Sequence, residues 1–109
     1  MSDVPRLTHL QFLVTGILRA QPLPGRTVRS QLRARGVRRT GPGFYQLMAR
    51  LEDIGLVEGM YHQEVVEGQI IRERHYRLTA EGLRSWEASR AFYVSAIRDF
   101  GGRQGLSDA

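Results

Sequence analysis

The chain has 109 residues, 41% hydrophobic and 25% charged, with a net charge of +5. This is one domain with a modest core, shorter than most enzymes need around a pocket, and its positive excess favours an acidic partner. There is no cysteine, which excludes disulfides, thiolate zinc sites and cysteine nucleophiles. No run resembles a signal peptide or approaches membrane-spanning length, so the expected location is the cytoplasm.

Every cationic residue is arginine, whose planar fork suits phosphate and guanine; GC-rich coding explains the missing lysine equally well. The distribution says more. Nine arginines and no acid lie between Val4 and Leu51, whereas residues 52–109 carry seven arginines against ten acids. The positive excess belongs to the first half.

Residues 1–6 read as a short arm. Thr8 and Gln11 have capping-box spacing, and Leu7 and Phe12 stand where a hydrophobic staple pairs. Phe12 is assigned to the staple, with a second packing surface as the other reading. Leu10, Leu13, Val14, Ile17 and Leu18 form the stripe of a first helix, with His9 solvated in its first turn. Gln21-Pro22-Leu23-Pro24-Gly25 breaks that helix. A second, from Arg26 to about Arg35, buries Val28 and Leu32, while Arg26, Arg29 and Arg33 fall mainly elsewhere on its surface. Gly36-Val37-Arg38-Arg39 turns into the next.

The third helix, within Thr40–Leu56, organises the rest. Thr40 is its N-cap, Pro42 suits its first turn and Gly55 the left-handed residue past its end. Phe44, Leu47, Met48, Leu51 and Ile54 give an apolar face; Tyr45, Gln46, Ala49 and Arg50 occupy the other. Its entry is free of acid and preceded by Arg38-Arg39, so its unpaired amides, near Gly41 and Gly43, suit phosphate. Helix, turn and basic-flanked helix make a helix-turn-helix.

From Leu56 to Leu78 the period changes to that of a hairpin with its tip at Glu67-Gly68. On the return strand Arg72, Arg74, Tyr76 and Leu78 share a face, with Tyr76 and Leu78 reaching the core. Arg72 and Arg74 either meet a nucleic-acid backbone or groove, or pair with Glu64, Glu67 or Glu73. A metal site from His62, His75 and Glu64 is geometrically open, but cross-strand polar residues on a solvated hairpin are common, and no metal or cofactor is expected. Thr79 caps a last helix with Glu81 in its first turn. Leu83, Trp86, Tyr93, Ile97 and Phe100 form a seam interrupted by Arg90, and Ala91, Phe92, Val94 and Ala96 make its second half apolar almost all round. A domain this small cannot wrap such a helix, so a second chain is expected to. Gly101-Gly102 is expected to stop it.

The chain resembles the PadR family of winged-helix transcription regulators. The matching residues are Tyr45, Arg50-Leu51-Glu52 and Gly55-Leu56-Val57, then Arg74, Tyr76, Leu78-Thr79 and Gly82. The resemblance covers about residues 7–100. Pro42-Gly43-Phe44 stands where the family often has Gly-Thr-Leu, and Gly25-Arg26 where it often has Gly-Tyr. The resemblance implies a dimer whose last helix packs on its partner, commonly against the first helix, and DNA binding through the second and third helices and the wing. It also implies that the Tyr45 hydroxyl donates to a phosphate; the other reading of Tyr45 is a core residue.

The expected fold is therefore mostly α with a small β-hairpin. Residues 1–79 form a winged helix-turn-helix, 80–100 a dimerisation helix and 101–109 a flexible tail. The expected function is a sequence-specific regulator of double-stranded DNA, a repressor on a palindromic operator. Arg26, Arg29, Arg38, Arg39 and Arg74 neutralise phosphate, with Thr40, Gly41 and Gly43 at the helix entry and Arg72 on the wing. Gln46 and Arg50 read base edges. The homodimer interface takes Phe12, Leu83, Trp86, Arg90, Tyr93, Val94, Ile97 and Phe100. An effector is not identified, since little chain remains to form its pocket. The alternative is a winged-helix module that docks an acidic protein; salt-dependent binding to duplex DNA separates the two. Scattered His9, His62 and His75, with no catalytic pair, argue against an enzyme.

Overall fold

Thr8 opens the first helix as its spacing predicts. The computed structural model describes residues 7–107, and the side chains of 7–101; the arm at 1–6 lies outside the described residues. The Thr8 hydroxyl accepts from the Gln11 amide at 3.1 Å, and the Gln11 side chain accepts from the Thr8 amide at 2.9 Å. Helix α1 (His9–Leu18) follows. Its buried line is Gln11, Val14, Thr15 and Leu18, offset from the purely apolar stripe. Thr15 tolerates burial because its hydroxyl donates to the Gln11 carbonyl at 2.9 Å, and the Gln11 amide group is used in the cap. Leu13 and Ile17 pack from the side.

The Pro-Gly break contains a short strand. β1 (Leu23–Pro24) pairs antiparallel with Tyr76 and His75, so the sheet has three strands. A two-residue strand carries no periodicity, and its partner lies some fifty residues on. Helix α2 (Gly25–Ala34) buries Val28 and Leu32, and α3 (Gly41–Asp53) buries Phe44, Met48 and Leu51. α3 ends in a Schellman arrangement: Gly55, at φ 83°, donates to the Glu52 carbonyl at 3.0 Å, and Leu56 to that of Leu51 at 3.0 Å. Ile54 leaves the apolar face at this point and is 51% exposed. It is the C-cap, so the helical period that would have turned it inward has already ended.

β2 (Val57–Val66) and β3 (Gln69–Leu78) form the wing. The tip is at Glu67-Gly68, both with positive φ, and Val66 faces Gln69 across it. Tyr76 carries the sheet into the core, edge-on to Phe44 at 6.5 Å. Val14, Leu18, Val28, Leu32, Phe44, Met48, Leu51, Leu56, Val57 and Tyr76 make one cluster. Each large member contributes roughly 1.5–3 kcal/mol by leaving water.

Thr79 joins the wing to helix α4 (Ala80–Ser107). Its hydroxyl accepts from the Gly82 amide at 2.9 Å and donates to the Gly55 carbonyl at 2.6 Å. Gly82 lies against the Leu56 carbonyl, where a Cβ would overlap the oxygen. Phe12 meets α4 and does not serve the staple alone: it stacks on Trp86 at 6.3 Å and meets the Tyr93 edge at 5.4 Å. Those partners lie some eighty residues away, beyond what a local staple pattern reveals. The backbone stays helical through Gly101-Gly102, which do not end α4. Glycine costs a helix only about 1 kcal/mol and bars nothing sterically. Residues 108–109 of the expected tail lie outside the described residues. No helix among the described residues is long and apolar enough to cross a membrane.

Candidate nucleic-acid interface

The entry to α3 is built by its own cap and by α2. The Thr40 hydroxyl accepts from the Gly43 amide at 3.0 Å, and no acid stands in the first turn. Arg29 reaches across from α2 and grips the Arg39 carbonyl with Nε at 3.2 Å and Nη2 at 2.8 Å. That fork fixes the turn preceding α3 and brings Arg29, Arg39, Thr40 and Gly41 together. It also commits Arg29, an expected phosphate ligand, to the backbone of its own chain.

Beyond the entry, α3 turns Tyr45, Gln46, Ala49 and Arg50 outward. Tyr45 is 48% exposed and edge-on to Phe44 at 5.1 Å, so it lies off the core. Among the described residues, the side chains of Arg38, Gln46 and Arg50 have no hydrogen bond or ion pair within the chain.

Between α3, the start of α2 and the wing runs an open groove of about 730 Å³. It gathers Arg26, Tyr45, Arg72 and Arg74 from the expected set, with Glu52 and Tyr61 beside them. Two of these arginines have acidic partners. Arg26 forks onto Glu73 at 2.9 and 3.2 Å, and Arg74 Nη2 donates to Glu52 at 2.9 Å. Sequence proximity points Arg74 to Glu64, Glu67 or Glu73; its partner lies instead on α3. Arg72 has no acidic partner among the described residues and lies 4.4 Å over the Tyr61 ring.

These pairs set the titration of the groove. The hydrogen bond from Arg26, then that from His75 at 3.2 Å, hold the Glu73 carboxyl below its ordinary range. Desolvation disfavours the Arg74 cation, but the hydrogen bond and charge of Glu52 outweigh it and leave that guanidinium more firmly protonated than usual. Burial pushes the Tyr76 phenol up to about 12. On the outer face of the wing His62 stacks on His75 at 4.4 Å, and His62 turns to Glu64 at 3.4 Å. No three His, Cys, Asp or Glu side chains among the described residues are placed to hold a metal ion.

The expected interface helix divides in two. Near its start, Trp86 and Tyr93 face Phe12 of the same chain, with Arg19 over Trp86 at 5.3 Å. Leu83, Arg90 and Val94 are exposed there. Further on, Ile97 is 68% and Phe100 81% exposed, with Phe92 also open to solvent.

Sequence reasoning misses Glu52 and Tyr61 as members of this groove. Glu52 reads as part of the Arg50-Leu51-Glu52 motif and as a possible partner of Arg50, and Tyr61 as a strand former. Their meeting with Arg74 depends on how the hairpin folds back, which no local pattern specifies.

Three helices, a hairpin standing beside the third and a long appended helix define a winged helix-turn-helix protein. No family model matches the sequence, and no curated protein matches it. Solved structures do. The chain is similar to a PadR family transcription regulator from Clostridium difficile at 24% identity, with a TM-score of 0.69 over 85% of this chain and 98% of that one. It is similar to a PadR family transcriptional regulator from Eggerthella lenta at 27% identity, with a TM-score of 0.62 over 92% and 83%. It is similar as well to Bacillus subtilis PadR in complex with operator DNA, at 19% identity and a TM-score of 0.59, over 74% of this chain and 45% of that one. The fold is PadR-like.

Proposed function

We propose that the protein is a DNA-binding transcription regulator, a repressor that occupies a palindromic operator as a homodimer. The observation that carries this is the outward face of α3, where Gln46 and Arg50 have no internal partner among the described residues, beyond a capped, acid-free helix entry. Side chains with no partner of their own can spend all their hydrogen bonds on base edges, Gln on adenine and Arg on guanine. Arg38, Arg39, Arg72 and the Tyr45 hydroxyl surround that face and suit phosphate. The bound operator in the Bacillus subtilis PadR structure supports duplex DNA as the ligand class. The exposed apolar end of α4 supports a second copy as the protein partner.

Binding to duplex DNA, followed by fluorescence anisotropy across salt concentrations, tests the reading. Affinity should fall steeply with salt. Arg39→Ala should weaken all duplexes alike and lower the slope by about one for each phosphate that a chain no longer neutralises. Binding that is absent at low salt, or insensitive to salt, would overturn it in favour of a protein-docking module.

A further inference from the structure

Arg74 is fixed from several sides at once. Its Nη2 donates to Glu52 Oε1 at 2.9 Å, on the last turn of α3. Its guanidinium lies 5.1 Å from the Tyr61 ring centre and 5.8 Å from that of Tyr76. It also fills the space over Gly59, where a Cβ would come within 2.8–3.0 Å of three of its atoms. Tyr61 stands opposite Arg74 in the β2–β3 register, and the same ring carries Arg72 at 4.4 Å. These contacts make one line from Glu52 through Arg74 and Tyr61 to Arg72.

We propose that Glu52, Arg74 and Tyr61 are positioning residues that lock the wing to α3 and hold Arg72 against the duplex α3 reads; this rests on the DNA-binding reading above. The hairpin needs such a tie. Residues 60–72 are all exposed; β1 pairs with β3 at His75 and Tyr76, and the Arg26–Glu73 pair ties β3 to α2, which leaves Arg74 and Glu52 as the ion pair between the wing and α3 among the described residues. Arg74 cannot offer its paired nitrogen to phosphate without abandoning Glu52, and both side chains are only about a quarter exposed (29% and 26%). Arg72 differs. Stacking occupies the face of its guanidinium and leaves the N–H edges open to a phosphate. The locking acid stands beside a surface meant for an anion, where its charge alone opposes binding.

That opposition makes the lock testable. Glu52→Gln removes a negative charge, so electrostatics alone predicts tighter binding to the preferred duplex. The lock predicts the reverse, a weakening of roughly fivefold or more at fixed salt. It also predicts that Arg72→Ala costs much less affinity in the Glu52→Gln background than in the wild type. Arg74→Lys keeps the charge and loses the planar guanidinium and its ring contacts, and should show the same loss as Glu52→Gln. Equal or tighter binding in Glu52→Gln, or additive losses in the double variant, overturns the lock.

A measurement without DNA separates it from the regulator reading. By NMR relaxation of the intact protein, the Arg74 Nε–H and the Tyr61 amide should be ordered in the wild type and mobile in Glu52→Gln. Should the wild type bind no duplex, the regulator reading fails, and the lock is decided on relaxation alone: equal order in the two proteins overturns it.

Discussion

Gly82 illustrates how a single residue ties the appended helix to the domain. Its missing side chain lets α4 lie on the Leu56 carbonyl just past α3. Gly82→Ala should therefore destabilise the protein by roughly 1–3 kcal/mol, the usual cost of overpacking, although alanine is the better helix former. Urea unfolding measures this; a stabilised variant would contradict the packing described. Glu73 acts through charge. Its carboxyl titrates below its ordinary value of 4.5 because Arg26 and His75 donate to it in the folded chain. A lowered folded value means that its stabilisation is whole above the unfolded value and is lost as pH falls through the folded one. The stability difference between wild type and Glu73→Gln should be constant near neutrality and close in acid. A difference that persists well below pH 4.5 would show that the cluster is held by something other than ionisation. Neither residue's role was legible in the sequence. Gly82 was visible only as part of a motif, and Glu73 only as one of several acids near two arginines, because both roles depend on packing between elements.

Among the elements, α3 was the most legible and α4 the least. The cap at Thr40, the apolar face from Phe44 to Leu51 and the left-handed Gly55 are local signals, and each is where the spacing puts it. The tip of the wing at Glu67-Gly68 is local in the same sense. β1 was not legible, since two residues have no period, and neither was the stacking of Phe12 on Trp86. The extension of α4 past Gly101-Gly102 went against a stop signal that is statistical and not steric. The 28 residues of α4 span about 42 Å at 1.5 Å per residue, and its aromatic contacts with Phe12, at Trp86 and Tyr93, lie in its first half. Ile97, 68% exposed in the single chain, gives a clean test of what covers the rest. Aspartate there disturbs nothing in one chain alone but is heavily penalised if a second chain buries it. Ile97→Asp should keep its helical circular dichroism and scatter light at the mass of one chain, where the wild type scatters at twice that mass. A wild type that is cleanly monomeric at micromolar concentration would remove the homodimer.

At the scale of the molecule, the charge asymmetry read from composition becomes a division of labour. Of the first-half arginines, Arg29, Arg38, Arg39 and Arg50 stand on α3 or about its entry and Arg26 is paired with Glu73, while on the wing Arg74 is paired with Glu52 and Arg77 with Glu58. Which arginines stay free could not be read from the sequence, since pairing depends on partners up to 47 residues apart. Among the described residues, what remains unpaired around α3 is a small set, with Gln46 and Arg50 facing out from its middle turns. If two chains join through α4, two-fold symmetry sets their α3 helices on successive turns of one duplex face, roughly 34–36 Å apart. Selection of bound fragments from random duplex DNA, repeated with Arg50→Ala, tests this most directly. The account predicts an enriched palindrome with half-sites one helical turn apart, and a preference relaxed at one base pair per half-site in Arg50→Ala, at a cost of roughly 1–3 kcal/mol on the preferred site. No enriched sequence, or an identical preference in wild type and Arg50→Ala, would contradict the reading of α3 as the element that recognises bases through Arg50.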